Sequence, residues 1–219
     1  MSVSKIIDAR KLVDFIEKNG AFQLIESNFC HYSNHIPALF TDIVLQAGLN
    51  YKSVVAPRVK KVLAEYPNCK TVNDFYKLLD YEILENIISW KNEIKLTRMR
   101  SLMNFCLDNS INTSDDLRLF LLDKDNKCDF LNLKGFGDKT YDYLLKLLNV
   151  DTVAVDRHIY NFLDMAGIDS VNYNYSKSIV ETAADLMDIS RRSIDYSIWF
   201  HMAYENRKSN PQMLLQLSS

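Results

Sequence analysis

Apolar residues recur at helical spacing along nearly the whole chain, and the breaks between runs carry helix-ending signals. A first helix runs to Lys18, with Gly20 just past its end. Ile36 to Ala47 is strongly apolar, with Pro37 in its first turn and Gly48 as its stop. A short helix follows Pro57 and breaks at Pro67. Thr71-Val72-Asn73-Asp74 resembles a capping box with Asp in place of Glu, and Thr113 to Asp116 repeats that logic. Further helices are predicted over Tyr81–Ser89, Asn92–Asp108, Asn126–Asn132, Asp138–Asn149, Asp156–Ala166, Ser176–Ile189 and Arg192–Arg207. Thr152 to Val155 is the one brief extended stretch. The pattern predicts an all-α fold.

Composition agrees with this. The chain has 219 residues, 47% hydrophobic and 25% charged, enough for one large helical domain or two small ones. Five Gly and four Pro leave few breaks. The net charge of −2 argues mildly against a nonspecific nucleic-acid coat, but local charge matters more. Lys91, Lys95, Arg98 and Arg100 crowd one stretch, and Arg58, Lys60 and Lys61 another. Each is read first as a solvated helix face. Cys30, Cys69, Cys106 and Cys128 form no CxxC pair, which predicts reduced, mostly buried thiols. The start lacks the apolar core of a signal peptide, and no apolar run is long enough for a bilayer.

The chemistry concentrates between Leu133 and His158. Leu133-Lys134-Gly135-Phe136-Gly137-Asp138-Lys139 reads as helix, glycine hairpin, helix. Gly135 and Gly137 can take positive φ and allow close approach of another group. With Asp138 and Lys139 they place free N–H groups at a helix start. That is either a phosphate site or a plain turn between helices. Lys139 sits where the helix macrodipole disfavours the ammonium form, so it serves either as a nucleophilic amine or as a point charge on phosphate. Asp156 caps the next helix and could also stabilise positive charge developing on a sugar. His158, two residues on, reads as a hydrogen-bond partner. The histidines show no zinc-enzyme pattern.

Leu133 to Gly167 resembles the signature of the helix-hairpin-helix DNA glycosylase superfamily. Gly135, Gly137, Lys139, Asp156 and His158 match it position by position, while Lys134 stands where proline is usual. The resemblance implies a bifunctional glycosylase and AP lyase. Lys139 would be the Schiff-base nucleophile and Asp156 the essential acid, with DNA phosphate held at Gly135, Gly137 and Asp138. A damaged base, oxidised as in 8-oxoguanine, would be removed after flipping from the duplex. Tyr143, Phe136, Gln46, Trp199 and His158 are candidates for the base pocket or wedge. Asp195 to Phe200 is similar to the smaller archaeal-type 8-oxoguanine glycosylases, although Trp199 and Phe200 read most simply as core residues.

The resemblance also implies two helical domains, 36–150 ending in the hairpin motif and 1–35 plus 151–219. No Cys follows Cys128, so no iron–sulfur cluster is expected, nor any cofactor beyond a monovalent cation that the hairpin could hold. The expected partner is double-stranded damaged DNA, bound by a monomer, away from membranes, in the cytoplasm or nucleoid, or in a nucleus. The alternative is a non-catalytic helix-hairpin-helix DNA-binding protein. It would need no paired Lys139 and Asp156.

Overall fold

The structure is a computed structural model and describes residues 3–28 and 30–208. All regular elements among these residues are helical. They divide into two compact units, Met1–Asn28 with Asp151–Ser219, and Phe29–Val150.

The Phe29–Val150 unit is built around α2 (Ile36–Leu45), all ten residues of which are buried. An apolar helix with no polar face must be covered on every side. The cover comes from α3 (Ala56–Glu65), α4 (Val72–Leu78), α6 (Glu93–Asp108) and α9 (Asp138–Leu147). His35 caps α2 through Nδ1, which accepts from the Ala38 N–H at 3.2 Å. Its Nε2–H donates to the Tyr66 carbonyl at 2.9 Å, which sets the tautomer. Both capping boxes form: Thr71 and Asp74 open α4, and Thr113 and Asp116 open α7 (Ser114–Leu122). The hairpin motif consists of α8 (Lys127–Leu131) and α9. Tyr141, Leu144, Leu145 and Leu148 face the core, as their spacing predicts.

Two elements differ from expectation. A π-helical turn at Tyr51–Val55 precedes α3. It brings Tyr51 back toward α2, where its phenol bonds Asp42. The helix expected over Tyr81–Ser89 shrinks to α5 (Leu84–Ile87). Tyr81 and Ile83 are 89% and 60% exposed, so that end has no face to bury, and Ser89 turns out of the helix at φ +50°.

In the other unit, α1 (Val3–Lys18) packs on α11 (Tyr173–Leu186), and α10 (Arg157–Met165) on α12 (Arg191–Lys208). Leu12, Phe162, Ile179, Ile194 and Ile198 form its core. α11 begins three residues before the expected start because Asn172 caps it through the Tyr175 N–H. Among the described residues no helix is long and apolar enough to cross a membrane.

Candidate active site

The hairpin between α8 and α9 needs glycine at one position. Gly135 has φ +90°, the left-handed region, and the Phe136 N–H closes the turn on the Leu133 carbonyl at 3.0 Å. A Cβ at Gly135 would also overlap the Arg98 guanidinium, which lies against the hairpin. Gly137 is different. It is the N-cap of α9 in extended backbone (φ −125°), and nothing lies within 4 Å of where its Cβ would be. The positive φ expected of both glycines belongs to Gly135 alone. Phe136, a candidate for the base pocket, is 5% exposed and packs edge-on against Phe130 at 5.3 Å. Its ring anchors the hairpin to its own core and presents no face to a base.

The basic clusters are only in part solvated faces: Lys60, Lys91 and Arg100 are exposed, while the others pack against the protein. Arg98 meets the hairpin. Lys95 is buried, and its ammonium donates to the carbonyls of Val44 and Ala47 at 2.7 and 2.8 Å, closing the C-terminus of α2. Burial, with the Arg98 charge nearby, pushes the Lys95 amine down to about 8. Arg58 lies over the Trp90 ring at 4.8 Å. Arg100 pairs with Glu93 at 2.8 Å. Of the thiols expected to be mostly buried, only Cys106 is; Cys30 and Cys69 are half-buried and Cys128 is exposed.

Lys139 stands in the first turn of α9, partly buried, and its amine donates to Gln46 Oε1 at 2.9 Å. Asp138 beside it forms an ion pair with Lys127 at 2.9 Å, which offsets an acid that would repel phosphate. One turn on from Lys139, the Tyr143 phenol donates to Asp42 Oδ1 at 2.9 Å. Asp42 Oδ2 accepts from Tyr32 at 2.5 Å and from Tyr51 at 3.2 Å. Burial raises the Asp42 carboxyl above its usual range, and the three phenol donors oppose that shift. Burial and the neighbouring carboxylate raise Tyr32, Tyr143 and Tyr51, the last to about 12, so all three phenols stay protonated donors.

Sequence reasoning did not single out Asp42, and it named Arg98 only as one of a basic cluster. Asp42 had a signal: it is the one charged residue of an otherwise apolar helix. The basic cluster marked Arg98 but not its place at the hairpin, because only packing brings α6 there.

The other candidates lie in the unit that contains both chain ends. Asp156 is the N-cap of α10, and its Oδ1 accepts from the N–H groups of His158 and Ile159 at 2.8 and 3.2 Å. The cap uses one carboxylate oxygen and leaves Oδ2 outside it. His158 occupies the first turn of that helix. Trp199 is not a core residue: it is partly exposed and stacks on Tyr196 at 5.8 Å. Phe200 is 41% exposed, and Ile194, Ile198 and Met202 line the core from α12 instead.

The class of protein is thereby set: all-helical, with a fold similar to that of a DNA glycosylase. The solved structure of H. pylori 3-methyladenine DNA glycosylase (MagIII) bound to 1,N6-ethenoadenine matches it with a TM-score of 0.54 and 16% identity. The match covers 94% of this chain and 98% of that one. At such identity the likeness is one of fold. By sequence the chain belongs to the family described as Domain of unknown function (DUF8548), whose model matches residues 10–203. No curated protein matches it.

Proposed function

We propose that the protein is a base-excision-repair DNA glycosylase with AP-lyase activity, and that Lys139 is its nucleophile. The observation that carries this reading is the partly buried Lys139 amine, held by Gln46 at the start of the helix that follows the glycine hairpin. The unsatisfied N–H groups of that first turn form an anion site without base specificity, and Arg98 against Gly135 adds positive charge to it. The neutral form of Lys139, donating one N–H to Gln46, would attack C1′ of a flipped nucleotide through its lone pair. The C1′–N bond breaks, its electron pair leaves with the base, and water protonates that base. The lysine nitrogen gives up a proton through water and expels the ring oxygen: the C1′–O4′ bond breaks, O4′ takes up a proton, and the protonated imine that results acidifies C2′. Loss of the C2′ proton expels the 3′ phosphate, and water then hydrolyses the imine to release the lysine. Asp156 would stabilise the positive charge that develops at C1′.

The signature favours an oxidised base such as 8-oxoguanine. A second reading, an alkylated adenine, is favoured by the fold neighbour, a 3-methyladenine glycosylase holding 1,N6-ethenoadenine. Borohydride trapping on duplexes with an abasic site, 8-oxoguanine, an oxidised pyrimidine or 1,N6-ethenoadenine tests both. A covalent adduct in wild type that is absent in Lys139→Gln is expected, and the duplex trapped best names the lesion. Base release without an adduct would leave a glycosylase that uses water. Binding without base release would leave a non-catalytic DNA-binding protein.

A further inference from the structure

The polar contacts between α2 and α9 form two rungs. Asp42 and Gln46 stand one turn apart along α2 and its C-cap, and Lys139 and Tyr143 one turn apart on α9. Tyr143 bonds Asp42 and Lys139 bonds Gln46, each at 2.9 Å. The inner rung ends on a fully buried carboxyl, Asp42 being 0% exposed, while the outer rung carries the amine.

A carboxyl group is a costly choice for a mechanical tie. Its bonded partners are three phenols, drawn from the segment before α2, the π-helical turn and α9. Among the described residues no lysine or arginine forms an ion pair with it. An apolar side chain of similar volume would hold the helices together without that burial. What the carboxyl adds is direction. It fixes the Tyr143 hydroxyl and therefore the rotation of α9 about its own axis. That rotation decides where a side chain one turn away projects.

We propose that Asp42 is a positioning residue for Lys139: through Tyr143 it holds α9 at the rotation that delivers the amine to Gln46. The proposal rests on Lys139 being the nucleophile. Displacing a reacting atom by about 1 Å can slow a reaction roughly a hundredfold, so a loosened inner rung should be felt at the amine.

The test is single-turnover borohydride trapping on an abasic-site duplex, with DNA affinity measured in parallel. Asp42→Asn and Tyr143→Phe are each expected to slow trapping about tenfold with affinity unchanged. The double variant should be no slower than the slower single one, because both cut the same rung. Tyr143→Phe removes only a hydroxyl and keeps the test open if Asp42→Asn does not fold. Thr71→Ala, which loses a helix cap elsewhere in the unit, should lower the melting temperature and keep the wild-type rate. A wild-type rate in folded Tyr143→Phe overturns the proposal, as does an equal loss in Thr71→Ala. If wild type forms no adduct, the nucleophile assignment falls and this proposal falls with it. An adduct in wild type with unchanged variants overturns the positioning role alone.

Discussion

Lys139 and Gln46, 93 positions apart in sequence, share a hydrogen bond of 2.9 Å in which the amine donates to the side-chain amide oxygen. Gln46 itself is a neutral acceptor, which does not favour the charged amine as a carboxylate in its place would. Gln46→Glu would set a carboxylate against the amine and should therefore favour its charged form. The neutral amine then appears only at higher pH, so the acid limb of the trapping profile should shift to alkaline pH. A profile unchanged by Gln46→Glu would show that the contact does not persist around the reactive amine.

Gly135 and Gly137 should respond differently to a methyl group. Gly135→Ala must hold an L residue at φ +90° and displace Arg98, which should cost about 1–2 kcal/mol and lower the melting temperature. Gly137→Ala keeps an extended backbone with open space around the new Cβ, so stability should stay within about 0.5 kcal/mol. Its effect should appear in DNA affinity, because the methyl group would stand beside the proposed phosphate. Thermal unfolding and DNA titration of the two variants separate these outcomes. Equal losses of stability would contradict the backbone assignment.

At Asp156 the cap and the proposed chemistry can be separated. Asp156→Ala removes the acceptor for His158 and Ile159 and should cost about 1 kcal/mol. Asp156→Asn keeps a capping oxygen, so stability should change by only a few tenths of a kcal/mol, while base release slows by orders of magnitude. If the Asn variant folds normally and excises at the wild-type rate, Asp156 is a cap alone.

The tyrosines around Asp42 predict a one-sided pH dependence. Tyr32, Tyr51 and Tyr143 have folded-state values raised above the ordinary 10.0, Tyr51 to about 12. A raised value means that the folded state holds these protons more tightly than the unfolded chain. Their stabilisation is complete below pH 10 and is lost as pH rises beyond it. Melting temperature should therefore fall above pH 10, and absorbance at the tyrosinate band should show these phenols ionising only with unfolding. Early ionisation of all 12 tyrosines in a folded protein would rule out the cluster.

The elements read most directly from sequence are those whose ends are decided locally. Thr71 with Asp74, Thr113 with Asp116 and Asp156 with His158 and Ile159 satisfy helix-start N–H groups within three residues of chain. The helix expected over Tyr81–Ser89 shortened to Leu84–Ile87 because Leu84, Ile87 and Ile88 are buried while Tyr81 and Ile83 at its start have no face to bury. Trp199 and Phe200 looked like core residues by type, yet the rotation of α12 gave the core to Ile194, Ile198 and Met202. Residue type measures the benefit of burial and does not say which face of a helix receives it.

Sequence by itself determined that the chain is helical, where most helices start, and that a glycine turn precedes a lysine-bearing helix. These features depend on φ restriction, capping and apolar period, all of which act over a few residues. Only the tertiary structure decided that Gln46 receives the Lys139 amine, that three phenols from separate segments converge on Asp42, and that Arg98 closes on Gly135. Those contacts join residues whose separation in sequence carries no energetic preference of its own. They form because packing around the buried helix α2 brings the segments together, and their polar groups must then find partners inside.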